Sequence, residues 1–400
     1  MTGTTATSPM PLPASEPNLQ SVAPSEPARA RRGSLVRVLH AINGEHYAGA
    51  ERVQDHLAIG LPEQGFEVGF ACVKSGRFAA MRKAQQAPLV ELPMGGRADL
   101  RPALRLAKLV RDGGYALIHS HTPRSALVAA TAATLARVPL VHHVHSQTAV
   151  EVGRRWLTRT TALVERLSLW RAAGLVAVSG SLFRYLHANG YAQHRIWLVP
   201  NGVPVQGPLG PWNRFHSVWT LGALAWLRPR KGIEVLLEAM ALLKARGIAV
   251  RLRAVGQFDS EEYEREIKSR AQALGIADAV EWVGFRQDVT EQLRQMDIFV
   301  LPSVLSEAMP MSILEAMAAG TPVVGTRVDG VTDLITDGED GLLARPGDPQ
   351  DLAGVLGRII GGKVDVGRLR RAAHRKQAER FSDASMAAGV AEVYREVIGR

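Results

Sequence analysis

A chain of 400 residues is too long for one ordinary hydrophobic core and points to two domains, and with 46% apolar residues it can fill both. A single cysteine, Cys72, excludes a disulfide framework and a Cys/His metal cluster and makes a reducing cytosol the simpler compartment. No apolar run approaches the roughly 18 residues of a membrane-spanning helix. The net charge of +10 is lopsided: residues 34–200 carry 20 Lys+Arg against 10 Asp+Glu, residues 201–400 carry 25 against 26. A basic first half suits an anionic ligand, an anionic lipid surface or nucleic acid, or simply a solvated Arg-rich face.

In chain order, residues 1–33 are Thr, Ser, Pro and Ala closed by an Arg-rich end. They lack the apolar core of a secretory leader and read as a disordered tail. Short apolar runs of strand type follow at 35–42, 66–73, 115–121, 139–146, 174–180 and 196–202, with helical patterns ending at Leu61 and spanning 124–136. The Pro/Gly stretch 201–212 reads as a linker. The alternation then restarts, with strands at 217–224, 249–256, 279–285, 298–303, 322–326 and 341–345 and helices at 232–246, 261–274, 288–295 and 311–319. Strands alternating with helices predict an α/β protein with parallel sheets. Two tandem Rossmann-like domains follow, residues 34–204 and 205–380, with a closing helix at 381–400 that returns to the first domain. Ligands of such sheets sit at the carboxyl ends of the strands, here in a cleft between the domains. No Gly-x-Gly-x-x-Gly fingerprint follows either first strand, so a nicotinamide cofactor is not favoured.

The stretch SEAMPMSILEAMAAGTPVV, residues 306–324, is the most informative. Pro310 suits the first position of a helix, where its missing N–H costs nothing. The free N–H groups of Met311 and Ser312 then form an anion site suited to a diphosphate. Glu315, one turn in, can accept from a ribose diol, and Glu307, in the loop before the helix, from a second polyol. Helix starts attract acids for purely electrostatic reasons too.

This stretch resembles the Glu-x7-Glu signature of glycosyltransferase family 4, whose members have the GT-B fold and retain anomeric configuration. The matching residues are Glu307, Pro310, Glu315-Ala-Met-Ala318, Gly320 and Pro322-Val-Val324. RPRKGIEVLLEAM, AVEWVGFRQDVTEQLRQMDIFVLPS, VDGVTDLITDGEDGLLARPGD and YAGAERVQDHLAIGLPEQGFEV extend the resemblance over about residues 35 to 398.

The resemblance implies roles. Glu307 contacts donor-sugar hydroxyls and helps position charge at the anomeric carbon. Glu315 binds the ribose, Lys231 neutralises the diphosphate, and His145 faces the donor sugar. Gly49, beside Ala48 in a glycine-pair slot, lets backbone approach a phosphate or the acceptor. The family's arginine before Lys231 is missing, since Trp226 or Ala225 stands there, and Arg228 or Arg230 is then left to reach the phosphate or to sit as surface charge. Without an Asp-x-Asp pair to hold a divalent ion, cations and helix amides must hold the diphosphate, so no metal and no cofactor are expected. His143 shares the face of His145, so either could line the cleft, and His119 and His121 also end a strand there.

The implied reaction is retaining transfer from a UDP- or GDP-sugar to a saccharide or lipid-linked acceptor in polysaccharide or glycolipid biosynthesis, without nucleic acid as partner. The basic, Trp- and Leu-bearing segment 154–171 is either a helix packed inward or a peripheral contact with an anionic inner membrane face. Rival readings are a nucleotide-sugar epimerase, a related phosphorylase, and a catalytically silent sugar- or nucleotide-binding protein. The Trp226 departure is the best support for the silent binder.

Overall fold

The computed structural model describes residues 35–96, 99–146, 166, 168–212 and 217–399. The tail 1–33 and all but Arg166 and residues 168–171 of the basic segment lie outside the described residues.

The first half is built on a seven-stranded parallel sheet. Its strands are β1 (Val36–Ile42), β2 (Phe66–Cys72), β3 (Leu89–Glu91), β4 (Leu117–Ser120), β5 (Leu140–Val144), β6 (Gly174–Ala177) and β7 (Ile196–Leu198), in the order β3-β2-β1-β4-β5-β6-β7. β1 lies between β2 and β4, with Val38 opposite Val68 on one side and Leu117 on the other. Its interior residues Val38, Leu39, Ala41 and Ile42 are fully buried. A strand covered on both faces needs such a largely apolar run, and the one polar residue within it, His40, is buried as well. Helices α1 (Gly49–Gly60), α2 (Arg77–Met81), α3 (Arg101–Asp112), α4 (Pro123–Ala136) and α5 (Gly180–Ala188) connect the strands. Thr122 caps α4, its hydroxyl accepting from the Ser125 N–H.

The second half repeats the plan with β8 (Trp219–Leu224), β9 (Val250–Val255), β10 (Val280–Gly284), β11 (Ile298–Leu301), β12 (Val323–Thr326) and β13 (Leu342–Ala344), ordered β10-β9-β8-β11-β12-β13 and parallel throughout. Its helices are α6 (Ile233–Ala245), α7 (Glu261–Ala273), α8 (Val289–Arg294), α9 (Met311–Ala319), α10 (Pro349–Ile360), α11 (Val366–Arg380) and α12 (Asp383–Ile398). In each sheet the chain reverses its direction of strand addition beside the first strand, at β1/β4 and at β8/β11. That is where open α/β sheets bind ligands.

The last helix crosses back. α12 packs on α1 and β6 and places Tyr394, fully buried, under the first sheet. The two crossing segments are bonded to each other: Val203 N–H donates to the Phe381 carbonyl at 3.0 Å and Asp383 N–H to the Val203 carbonyl at 3.1 Å. Gly202 permits this approach, because a Cβ there would stand 2.1 Å from the Ser382 carbonyl oxygen. The alternating pattern in the sequence is thus realised as two parallel sheets. β3, α2, α3, α5, α10 and α11 carry no signal strong enough to have been singled out.

Candidate active site

A cleft of about 1050 Å³ opens between the carboxyl ends of β1, β4 and β5 and the loops after β8 and β11. Its second-sheet wall is organised by α9. The sequence places Pro310 as the first helical residue. In the structure Pro310 has φ −71° and ψ 115°, still extended, and is the N-cap, so the helix begins at Met311. No side chain caps it. The N–H groups of Met311 and Ser312 therefore face the cleft at the positive end of the helix dipole.

Glu307 precedes this helix and is held by its neighbours. Its N–H donates to the Asp329 carbonyl at 2.9 Å. Gly330, at φ +79°, packs so closely that a Cβ would stand 2.1 Å from the Glu307 carbonyl oxygen. The carboxylate is not free, as its reading as a sugar ligand alone would have it. Lys231 Nζ donates to its Oε1 at 2.7 Å and Ser303 Oγ at 2.6 Å. Lys231 ends a 3₁₀ turn, Pro229–Lys231, and Gly232 at φ +66° then starts α6. Arg230 Nη2 donates to the Ser306 carbonyl at 2.6 Å and lies 4.0 Å from Glu307 Oε2. Glu307, Lys231 and Arg230 are thus one cluster.

Glu315 is buried and ion-paired with Arg52, on α1 across the cleft. A cation in the first turns of a helix opposes the dipole, and the facing carboxylate compensates. Arg52 was not apparent from the sequence, although an arginine so near a helix start was a signal that it needed an anionic partner. Glu51 beside it is buried, accepts from the Ala48 N–H at 3.1 Å, and burial lifts its carboxyl to about 7. Gly49 opens α1, and a Cβ there would meet only Met311 Cγ, at 3.7 Å, so crowding within the protein does not require glycine. Trp226 lines the cleft, edge-on to His46 at 4.7 Å and with the Arg228 guanidinium 5.0 Å from its ring. Its indole N–H is buried with no acceptor among the described residues.

The first-sheet floor is a histidine cluster. His145 follows β5 and lines the cleft, while His143, one face-mate back, is fully buried. Between His145 and the core run His121 and His40, with His119 beyond. Burial holds all of them neutral: His40 falls to about 3 and His145 to about 4, and His119, His121 and His143 lie well below the usual imidazole range. Two triads of ring nitrogens, His40/His119/His121 and His121/His143/His145, each gather within 4.8 Å. The rings of His143 and His145, however, are 4.4 Å apart and within 9° of parallel. No single ion lies in both ring planes of such a pair, which imidazole coordination requires.

Residues 47–206 match the model of Glycosyltransferase Family 4, and residues 216–361 that of Glycosyl transferases group 1. The chain is 30% identical over 344 residues to a D-inositol 3-phosphate glycosyltransferase of Acidothermus cellulolyticus, spanning 78% of this chain and 74% of that one. Similarity to the amylovoran biosynthesis glycosyltransferase AmsK of Erwinia amylovora, 32% over 177 residues, spans 42% of this chain and 43% of that enzyme. The Anabaena HepE structure in complex with UDP-glucose superposes with a TM-score of 0.79 at 23% identity, covering 90% of this chain and 99% of that one. The chain belongs to the GT-B glycosyltransferases of the family 4 type.

Proposed function

We propose that this glycosyltransferase moves a sugar, with retention, from a UDP- or GDP-sugar to a saccharide or lipid-linked acceptor in polysaccharide or glycolipid assembly, without a divalent metal. The observation that carries the reading is the joint placement of Lys231, Arg230 and the uncapped start of α9 around one carboxylate, Glu307, with Glu315 a turn further in. The donor diphosphate lies against Lys231 and the Met311 and Ser312 amides, with Arg228 and Arg230 as further cations. Glu315 accepts from the ribose hydroxyls, and Glu307 and His145 contact the sugar. Gly49 leaves room for backbone to approach the phosphate.

In the reaction the acceptor oxygen forms a bond to the anomeric carbon as the bond from that carbon to the phosphate oxygen breaks, on the same face. The leaving phosphate oxygen takes the acceptor proton. Lys231 and the helix amides stabilise the charge left on the nucleoside diphosphate. The named activities of the relatives, on an inositol phosphate and in amylovoran biosynthesis, support a hydroxylated acceptor.

The test is thermal stabilisation by UDP, GDP and their sugar conjugates with and without EDTA, since a ligand of the native state must raise the melting temperature. One nucleotide should stabilise the chain in EDTA, and Glu315→Ala should abolish the shift. NMR of the product's anomeric centre then decides retention. Trp226 in place of an arginine favours a second reading, a silent binder. Stabilisation by a nucleotide sugar with no turnover over a panel of acceptors would select it.

A further inference from the structure

The histidines beneath the cleft are joined end to end. His145 Nε2 lies 3.2 Å from His121 Nδ1, His121 Nε2 lies 3.1 Å from His40 Nδ1, and His40 Nε2 lies 2.9 Å from the Tyr394 hydroxyl. The same hydroxyl lies 2.6 Å from His119 Nδ1. The line begins at the half-buried cleft residue and ends on α12, contributed by the far end of the chain. Every link is between buried neutral groups except the first, at the cleft.

A neutral imidazole has one N–H and one lone pair, and a hydroxyl gives one bond as it accepts another. Protons along the line therefore run one way or the other as a unit. In one polarity His119 Nε2 carries an N–H. That atom is buried with no partner among the described residues, and an orphaned buried donor is the rarer and costlier case. In the other polarity His119 Nδ1 donates to the Tyr394 oxygen. Tyr394 then donates to His40 Nε2, His40 Nδ1 to His121 Nε2, and His121 Nδ1 to His145 Nε2. His145 is left with its proton on Nδ1.

We propose that His121, His40 and Tyr394 are positioning residues that lock His145 as the Nδ1–H tautomer, so that the cleft is offered a hydrogen-bond donor whose state depends on the seating of α12. The inference rests on the glycosyltransferase reading for the use of that donor, on a sugar or acceptor hydroxyl, but not for its existence. A fixed donor selects a ligand oxygen with a free lone pair and removes the cost of choosing a tautomer on binding.

The experiment uses the full chain labelled with ¹⁵N at histidine, with His145 assigned by the loss of its signals in His145→Asn. Long-range proton–nitrogen correlation at neutral pH, without substrate, reads the tautomer. The wild type should show His145 as a single form protonated at Nδ1. Tyr394→Phe keeps the ring and removes the hydroxyl, and should give a mixture of tautomers. With the donor sugar identified by the thermal screen, kcat should fall about five- to tenfold and the donor KM should stay within about twofold, as for one mis-set hydrogen bond. Phe66→Leu thins the packing on the same tyrosine ring, which Phe66 meets edge-on at 5.2 Å, and leaves the hydroxyl. It should lower the melting temperature without changing the tautomer. A proton on His145 Nε2 in the wild type, an unchanged tautomer in Tyr394→Phe, or the same tautomer change in both variants would overturn the proposal. Because the tautomer is read without turnover, its failure leaves the transferase reading standing, and a chain with no turnover leaves the tautomer result standing.

Discussion

Six buried histidines and the half-buried His145, all held neutral, make acid the most revealing perturbation of this fold. His40 and His142 are lowered to about 3, His56 and His145 to about 4, and His119, His121 and His143 well below 6.5, chiefly by burial. Their folded values lie below the unfolded one. Above about pH 6.5 both states are neutral and the histidines add no pH dependence. Below it the unfolded chain binds protons that the folded chain refuses, and stability falls. Glu51 runs the other way, since burial raises it to about 7 and the folded state holds its proton between about pH 4.5 and 7. At pH 5.5 each histidine takes nearly one proton on unfolding and Glu51 returns nearly one. The net uptake is about five protons, a slope of about 7 kcal/mol per pH unit. A whole domain is stable by only about 5–15 kcal/mol. The cooperative acid transition should therefore fall between about pH 6 and 5, above the range where carboxylates usually unfold proteins. Urea midpoints by tryptophan fluorescence at half-unit steps from pH 7.5 measure the slope. Midpoints that stay level down to pH 4.5 would refute the claim that these rings are buried and neutral. His143→Leu should move the transition to lower pH, because both ring nitrogens of His143 are buried without partners among the described residues, so that its removal breaks no hydrogen bond to them.

Three further outcomes follow from the cleft. Lys231→Met leaves Glu307 with the Ser303 hydroxyl and the more distant Arg230 and, in the proposed reaction, removes the cation beside the leaving diphosphate, and steady-state kinetics should show kcat/KM down at least about a hundredfold, about 3 kcal/mol. Glu307→Gln frees Lys231 and Arg230 from their carboxylate, so calorimetry should find the nucleoside diphosphate bound more tightly by about tenfold at low salt while turnover falls. Gly330→Ala sets a methyl against the Glu307 carbonyl at a positive φ, and differential scanning calorimetry should show a loss of about 2–4 kcal/mol, with activity reduced in the material that folds.

What could be read from the sequence was what is local. The strands β1, β4, β5 and β11 are short runs dominated by Val, Leu and Ile, broken only by Arg37 and His40 in β1, His119 and Ser120 in β4 and His142 and His143 in β5, and the start of α9 announces itself by Pro310 within four residues of Glu307. Glu307 and Lys231 stood out by residue type and by the company they keep in RPRKG and SEAMP. β3 did not, because three half-exposed residues on a sheet edge carry almost no pattern. α3 was hidden by its Arg and Lys, although these sit on its outer face while Ala103, Leu106, Ala107 and Val110 face inward. The missed site residues are of another kind. Arg52 matters because it meets Glu315, and Tyr394 because it meets His40 and His119. Each pair is joined only when distant segments are folded together, and nothing within a few residues of Arg52 or Tyr394 encodes its partner.

The charges of the cleft give those pairings a common logic. On the second-sheet wall Lys231, Arg230 and Arg228 carry three positive charges against the single carboxylate of Glu307, an excess of two. A nucleoside diphosphate bound through its two phosphates brings about two negative charges and would close that balance without a metal ion. Glu315 and Arg52 already cancel each other and add nothing to it. The excess can be kept in the empty cleft because Glu307 holds Lys231 at 2.7 Å and the Ser306 carbonyl holds Arg230 at 2.6 Å, so neither cation lies buried and unpaired. The contact between Lys231 and Glu307 is then a pre-organising one. In the proposed reaction it would set the ammonium where the leaving oxygen needs it before the substrate arrives, and the carboxylate beside the carbon that becomes positive as that oxygen leaves.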